Sequence, residues 1–98
     1  MNYSEADIKN QCRDYLRYRG IFFYHNLQGL GCYPGLPDMV MHYPCGELPR
    51  EIKVAYLEFK TAKGKLSANQ EVFQTQCKRD GIDYWIIRSL EDLIGGLG

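Results

Sequence analysis

Apolar positions near the start of the chain, Ile8, Cys12, Tyr15 and Leu16, recur at the spacing of one helix face, while Arg13, Arg17 and Arg19 fall off that face. Ser4 is a good N-cap, Glu5 and Asp7 place carboxylates in the first turn where the helix dipole is positive, and Gly20 is a stop signal. The pattern predicts a helix over Ser4–Arg19. Ile21–His25 is then an apolar and aromatic run of strand length, and Asn26–Gly35, with three glycines and a proline, reads as a loop. Asp38–Tyr43 is a second short strand, and Pro44–Glu51 is a turn or a longer hairpin connection. Lys53–Thr61 alternates most clearly: Ala55, Leu57 and Phe59 share the core face, and Tyr56, Glu58 and Lys60 share the other. Glu58 and Lys60 therefore emerge side by side, roughly 6 to 7 Å apart along the strand. Ser67-Ala-Asn-Gln70 matches a capping box and opens a helix to about Arg79, with Val72, Phe73 and Cys77 as its apolar stripe and Gly81 as its end. Tyr84–Arg88 is a buried-type strand, and Ser89 begins a short helix that ends among Gly95, Gly96 and Gly98. The order is α-β-β-β-α-β-α, an α/β protein with a small mixed β-sheet flanked by helices.

The 98 residues are 45% hydrophobic and show no shift of composition, which predicts one domain over 1–98 with a thin two-layer core. Two helices would then cover one face of the sheet and leave Phe22, Tyr24, Tyr43 and Tyr56 partly exposed, so a homodimer is expected. Twelve Lys plus Arg balance twelve Asp plus Glu, and nothing global announces a polyanionic partner. The distribution is more informative. Residues 60–79 hold Lys60, Lys63, Lys65, Lys78 and Arg79 against Glu71 alone, a basic segment that is either a solvated face or a contact for nucleic acid. Four cysteines without a CxxC pair, and two histidines without His-x-His or HExxH spacing, speak against zinc; Cys12 and Cys77 read as reduced core thiols. No leader-like segment and no long apolar run is present, so a cytoplasmic protein without a membrane span is expected.

Pro37-Asp38 opens one strand and Glu58-Phe59-Lys60 ends the next, across a hairpin-like connection that would bring the two carboxylates together. Two carboxylates, one backbone carbonyl (that of Phe59) and water suit a hard divalent cation such as Mg²⁺, which takes oxygen ligands and fills its remaining positions with substrate phosphate. Lys60 stands where it would hold or deprotonate an attacking water and offset charge in the transition state. The chemistry this points to is phosphodiester hydrolysis. Each half alone is ordinary, since Glu-x-Lys forms surface ion pairs and Pro-Asp opens turns; their joint placement before a basic, capped helix is what distinguishes them. Gly29-Leu-Gly31 with Pro34-Gly35 lacks Gly-Lys-Ser/Thr and does not run into a helix, which excludes a nucleotide cofactor and leaves a strand connection that lets a DNA backbone approach Asp38. Tyr24, Tyr33, Tyr43 and Tyr56 are assigned to core edges or a dimer contact ahead of base stacking.

Gly35-Leu-Pro-Asp38, Leu57-Glu-Phe-Lys60-Thr61, Lys63-Gly-Lys65-Leu-Ser67 and Gln70 together resemble the virus-type replication-repair nuclease (VRR-NUC) domain, a branch of the PD-(D/E)xK superfamily with a restriction-endonuclease-like core. The resemblance spans nearly the whole chain and includes the acidic Glu5 at the start of the first helix. It implies a stand-alone phage or bacterial protein, similar to homodimeric Holliday junction resolvases, acting in DNA repair on branched DNA. By that similarity Asp38, Glu58 and the Phe59 carbonyl would bind Mg²⁺ or Mn²⁺, Lys60 would be catalytic, and Glu5 and Gln70 would complete the site. Glu5 is equally a helix-dipole partner, and Gln70 equally a capping-box residue. Lys63, Lys65, Lys78 and Arg79 are the expected DNA contacts. Two further readings stay open: a nicking or restriction-like nuclease indifferent to junctions, and a non-catalytic DNA-binding module on the same fold.

Overall fold

A computed structural model describes residues 2–98. Its elements are α1 (Glu5–Arg19), β1 (Phe22–His25), β2 (Met39–Cys45), β3 (Glu51–Phe59), α2 (Ala68–Asp80), β4 (Asp83–Ile87) and α3 (Leu90–Leu97), in the order the sequence pattern predicts. Capping explains both long helices. In α1 the Ser4 hydroxyl accepts from Asp7 N–H while Asp7 returns a bond to Ser4 N–H; in α2 Ser67 and Gln70 do the same. Each helix closes on a left-handed glycine, Gly20 or Gly81.

The sheet has the order β1-β2-β3-β4. The first three strands form an antiparallel meander, with Met39 opposite Leu57 and Cys45 opposite Glu51, and β4 adds in parallel to β3. The meander pairs further than the sequence suggests. Pro44 and Cys45 continue β2, and Glu51 and Ile52 begin β3, so only residues 46–50 form the connecting loop. A parallel neighbour requires a crossover, and α2 supplies it.

That crossover corrects the expected two layers to three. One face of the sheet presents Met39, Met41, Ala55, Leu57, Phe59 and Ile87 to Ile8, Cys12 and Leu16 of α1 and Leu93 of α3, forming the main core. The opposite face carries Tyr56 and Tyr84, onto which α2 lays Phe73, with ring centroids 5.1 and 6.3 Å away. Cys77 is buried with Phe73's side of α2, whereas Val72 points to solvent at 67% exposure and leaves the predicted stripe. Tyr43 also departs from expectation. It is buried on the main-core face, edge-on to Trp85, and its hydroxyl donates to Asp83 at 2.6 Å. Phe22 and Tyr24 remain exposed as predicted, joined on the same face by Ile52 and Val54 near the start of β3, before the point where α2 packs on Tyr56.

Candidate active site

The end of the hairpin where β2 begins and β3 stops is where the polar groups converge. Asp38 immediately precedes β2, held by Asn26, whose backbone N–H donates to Asp38 O (2.9 Å) and whose side-chain amide donates to Pro37 O (2.8 Å). Asp38 Oδ2 then accepts from Phe59 N–H at 2.9 Å, a side chain continuing the ladder one step beyond the Met39–Leu57 pair. In an extended strand the N–H and C=O of one residue face the same neighbour, so the Phe59 carbonyl lies on the Asp38 edge of β3.

Glu58 alternates onto the α2 face and is only 2% exposed. Its Oε1 accepts from Gln70 Nε2 at 2.7 Å and lies 3.7 Å from Lys60 Nζ, while Oε2 is buried without a partner. Lys60 Nζ also reaches Glu5 Oε1 at 3.8 Å, across from α1. Gln70 makes two contacts: its side-chain oxygen accepts from Ser67 N–H at the cap of α2, and its amide nitrogen donates to Glu58. Glu5, in the first turn of α1, shares the Lys60 ammonium with Glu58.

Burial, and next the nearby charge of Asp38, push the Glu58 carboxyl up to about 7, with Lys60 pulling the other way. The Tyr84 hydroxyl, buried near Glu58 and without a hydrogen-bond partner, is raised above its usual range mainly by desolvation and then by that carboxylate. A carboxylate with one idle buried oxygen, a second carboxylate close enough to disfavour its charge and an adjacent backbone carbonyl make an all-oxygen donor set that suits Mg²⁺ or Mn²⁺. Among the described residues no three His, Cys, Asp or Glu side chains gather as a metal cluster, and the partner that Glu5 reaches is Lys60.

Two residues that sequence reasoning passed over belong to this neighbourhood. Lys9 Nζ lies 3.6 Å from Asp38 Oδ1; its signal was the four-residue step from Glu5, which puts both on one side of α1. Arg88, just past β4, donates to the carbonyls of Thr61 (2.7 Å), Gly64 (2.6 Å) and Ala62 (3.4 Å), and so holds the turn that carries Lys63 and Lys65. Those two lysines are exposed directly after the site. Lys78 and Arg79 are not brought to it: α2 runs away from Gln70, and Lys78 lies about 12 Å further along the axis, with Arg79 paired to Asp80.

A solved structure described as a "VRR_NUC domain" superposes on this arrangement with a TM-score of 0.73, covering 95% of this chain and 94% of that one. The chain has the VRR-NUC fold. Identity over the match is 15%, so the likeness is one of architecture. No protein-family model matches the sequence, and no curated protein matches it. Within the VRR-NUC fold as this chain builds it, Glu5 and Lys9 come from α1, Asp38 from the entrance to β2, Glu58 and Lys60 from the end of β3, and Gln70 from the first turn of α2.

Proposed function

We propose that the protein is a metal-dependent endonuclease that hydrolyses phosphodiester bonds of DNA at the centre formed by Asp38, Glu58 and Lys60. The observation that carries this reading is Glu58, a buried carboxylate with an unpartnered oxygen, set beside Asp38 and Lys60 in a domain of VRR-NUC fold. Asp38, Glu58 and the Phe59 carbonyl would hold Mg²⁺ or Mn²⁺, which when bound supplies positive charge for the phosphoryl oxygens and lowers the pKa of water. Lys60 orients the attacking water and neutralises charge as the new P–O bond forms and the bond to the departing sugar oxygen breaks; the proton that the water sheds passes to solvent, and the departing oxygen takes one up from solvent. Glu5 aims the Lys60 ammonium, and Gln70 keeps Glu58 Oε1 in place, which leaves the unpartnered Oε2 as the oxygen that would take the metal.

The finer reading is a homodimer acting on branched DNA. It is supported by the apolar sheet surface of Phe22, Tyr24, Ile52 and Val54, which a symmetry mate would bury, and by the fit of two dyad-related centres to the paired incisions a junction needs. Incubation with labelled four-way, flap, single-stranded and duplex DNA in Mg²⁺ and in Mn²⁺ tests both levels. Preferential cutting of branched substrates is expected, together with a light-scattering mass of twice the chain. Equal cutting of plain duplex would make it a nicking nuclease, and intact substrates throughout would make it a binding module.

A further inference from the structure

Three cations lie in a row on α1. Lys9, Arg13 and Arg17 are spaced at i, i+4 and i+8, so they line one side of the helix with about 6 Å of rise between neighbours. Their side faces β1. Arg17 stacks over the Phe23 ring at 5.6 Å, and Lys9 reaches Asp38 at 3.6 Å while standing 6.0 Å from the Phe59 ring centroid. Between them His25, in edge contact with Phe23, feels all three: after partial desolvation, Lys9, Arg13 and Arg17 hold its imidazole below its usual range, with Asp38 acting the other way. Since β1 is the edge strand, nothing beyond it in the sheet closes this seam among the described residues.

Compensation is slight. Arg13 meets Asp14 at 3.3 Å, but Asp14 is 69% exposed and adjacent in sequence, a pairing that solvent screens strongly. Arg17 meets an aromatic ring and, among the described residues, no carboxylate. The opposing carboxylate at the far end is Asp38 itself. A strip with cations at this spacing, with apolar and aromatic surface at its base, open along one edge and ending on the catalytic carboxylate, is complementary to a chain of phosphates.

We infer that Lys9, Arg13 and Arg17 form a track for the DNA backbone, leading a strand along the seam between α1 and β1 to the scissile position at Asp38. The inference rests on the nuclease reading and gives its substrate a direction. It also replaces the far end of α2 as the companion of Lys63 and Lys65: a strand entering over Arg17 and Arg13 crosses the site and leaves past the turn that Arg88 holds.

The test compares Arg13→Gln/Arg17→Gln with Arg13→Lys/Arg17→Lys. Affinity for a fluorescent four-way junction is measured by anisotropy against salt, in Mg²⁺ and on a Lys60→Ala background to prevent cutting; cleavage is measured with Lys60 intact. Each arginine that neutralises a phosphate adds about 0.9 to the slope of log affinity against log salt, so the glutamine pair should flatten that slope by about 2. Affinity near 0.1 M salt should fall at least about 10-fold. KM should rise while kcat stays within about twofold, because neither arginine touches the reacting atoms. The lysine pair should restore most of the affinity, since phosphate contact needs charge more than the guanidinium fork. An unchanged salt slope in a variant that still binds and cuts would overturn the track and leave the nuclease reading intact. A parent protein that neither binds nor cuts DNA would overturn both. Conversion of a dimer into a monomer by the glutamine pair would assign the stripe to contact between copies and likewise overturn it.

Discussion

Gln70 connects helix formation to the carboxylate it serves: its oxygen takes Ser67 N–H at 2.9 Å, closing the cap of α2, and its nitrogen gives a 2.7 Å hydrogen bond to Glu58 Oε1. One side chain thus ties the first turn of α2 to the end of β3. Gln70→Ala should lose both bonds and about 1–3 kcal/mol of stability by urea denaturation, given typical costs of a missing cap and an unsatisfied buried acceptor. Gln70→Glu keeps an acceptor for Ser67 but sets a second carboxylate against Glu58, so it should recover the helix without recovering activity. Equal cleavage by Gln70→Glu and wild type would show that the amide has no part in holding Glu58.

Removal of the Lys60 ammonium should slow cleavage by on the order of 10²-fold or more, the usual scale for one charge-stabilising group, with the far-ultraviolet circular dichroism unchanged. Asp38→Asn and Glu58→Gln should lose activity together with metal binding. The readout independent of cleavage is thermal: Mg²⁺ or Mn²⁺ should raise the Tm of wild type and of Lys60→Ala, but not that of the two carboxylate variants. Wild-type cutting by Lys60→Ala would end its assignment.

Glu58 makes the metal-free fold sensitive to pH. Its carboxyl goes from an ordinary value near 4.5 to about 7 on folding, so the protonated form is the one the fold prefers. Its favourable contribution is complete below about 4.5 and is lost as pH rises through about 7. With a chelator present, wild type should therefore weaken across that interval relative to Glu58→Gln, and Glu58→Gln should be the more stable of the two at pH 8. Parallel stability curves for the two proteins would contradict this.

Gly35 lies at φ 81°, and a β-carbon there would run into the Asn69 carbonyl in the first turn of α2. Gly35→Ala should destabilise by at least about 1–2 kcal/mol from backbone conformation alone, with the collision added, and should shift Asn69 and Gln70 away from Glu58. A calorimetric Tm equal to wild type would mean that the loop and α2 do not bear on each other in solution.

Much of this fold is readable from local chemistry. Ser4, Ser67 and Ser89 mark three helix starts, Gly20 and Gly81 mark two stops, and the alternation from Ala55 to Lys60 assigns each side chain to its face. Asp38, Glu58 and Lys60 stand out because strand geometry alone brings them together. Long-range packing is not readable in the same way. The exposure of Val72 depends on which side of α2 meets Tyr56 and Tyr84, and the burial of Tyr43 depends on Asp83 forty residues away. Lys9 and Arg88 escape notice in the sequence because their partners, Asp38 and the carbonyls of the 61–64 turn, become neighbours only when α1 and β4 flank β3.

The loop between β2 and β3 sits at the opposite end of the hairpin from the acidic pair. Residues 46–50 are all exposed, and the paired strands carry them about 20 Å from Asp38 and Glu58. This is where the domain has room to grow. A peptide tag, a fluorophore or a whole recognition module grafted at 46–50 would project from the back of the sheet, leaving the ladder from Met39–Leu57 onward in register. The hairpin is thus a mounting point: the end that carries Asp38 and Glu58 keeps its shape while the rear changes what the domain is attached to.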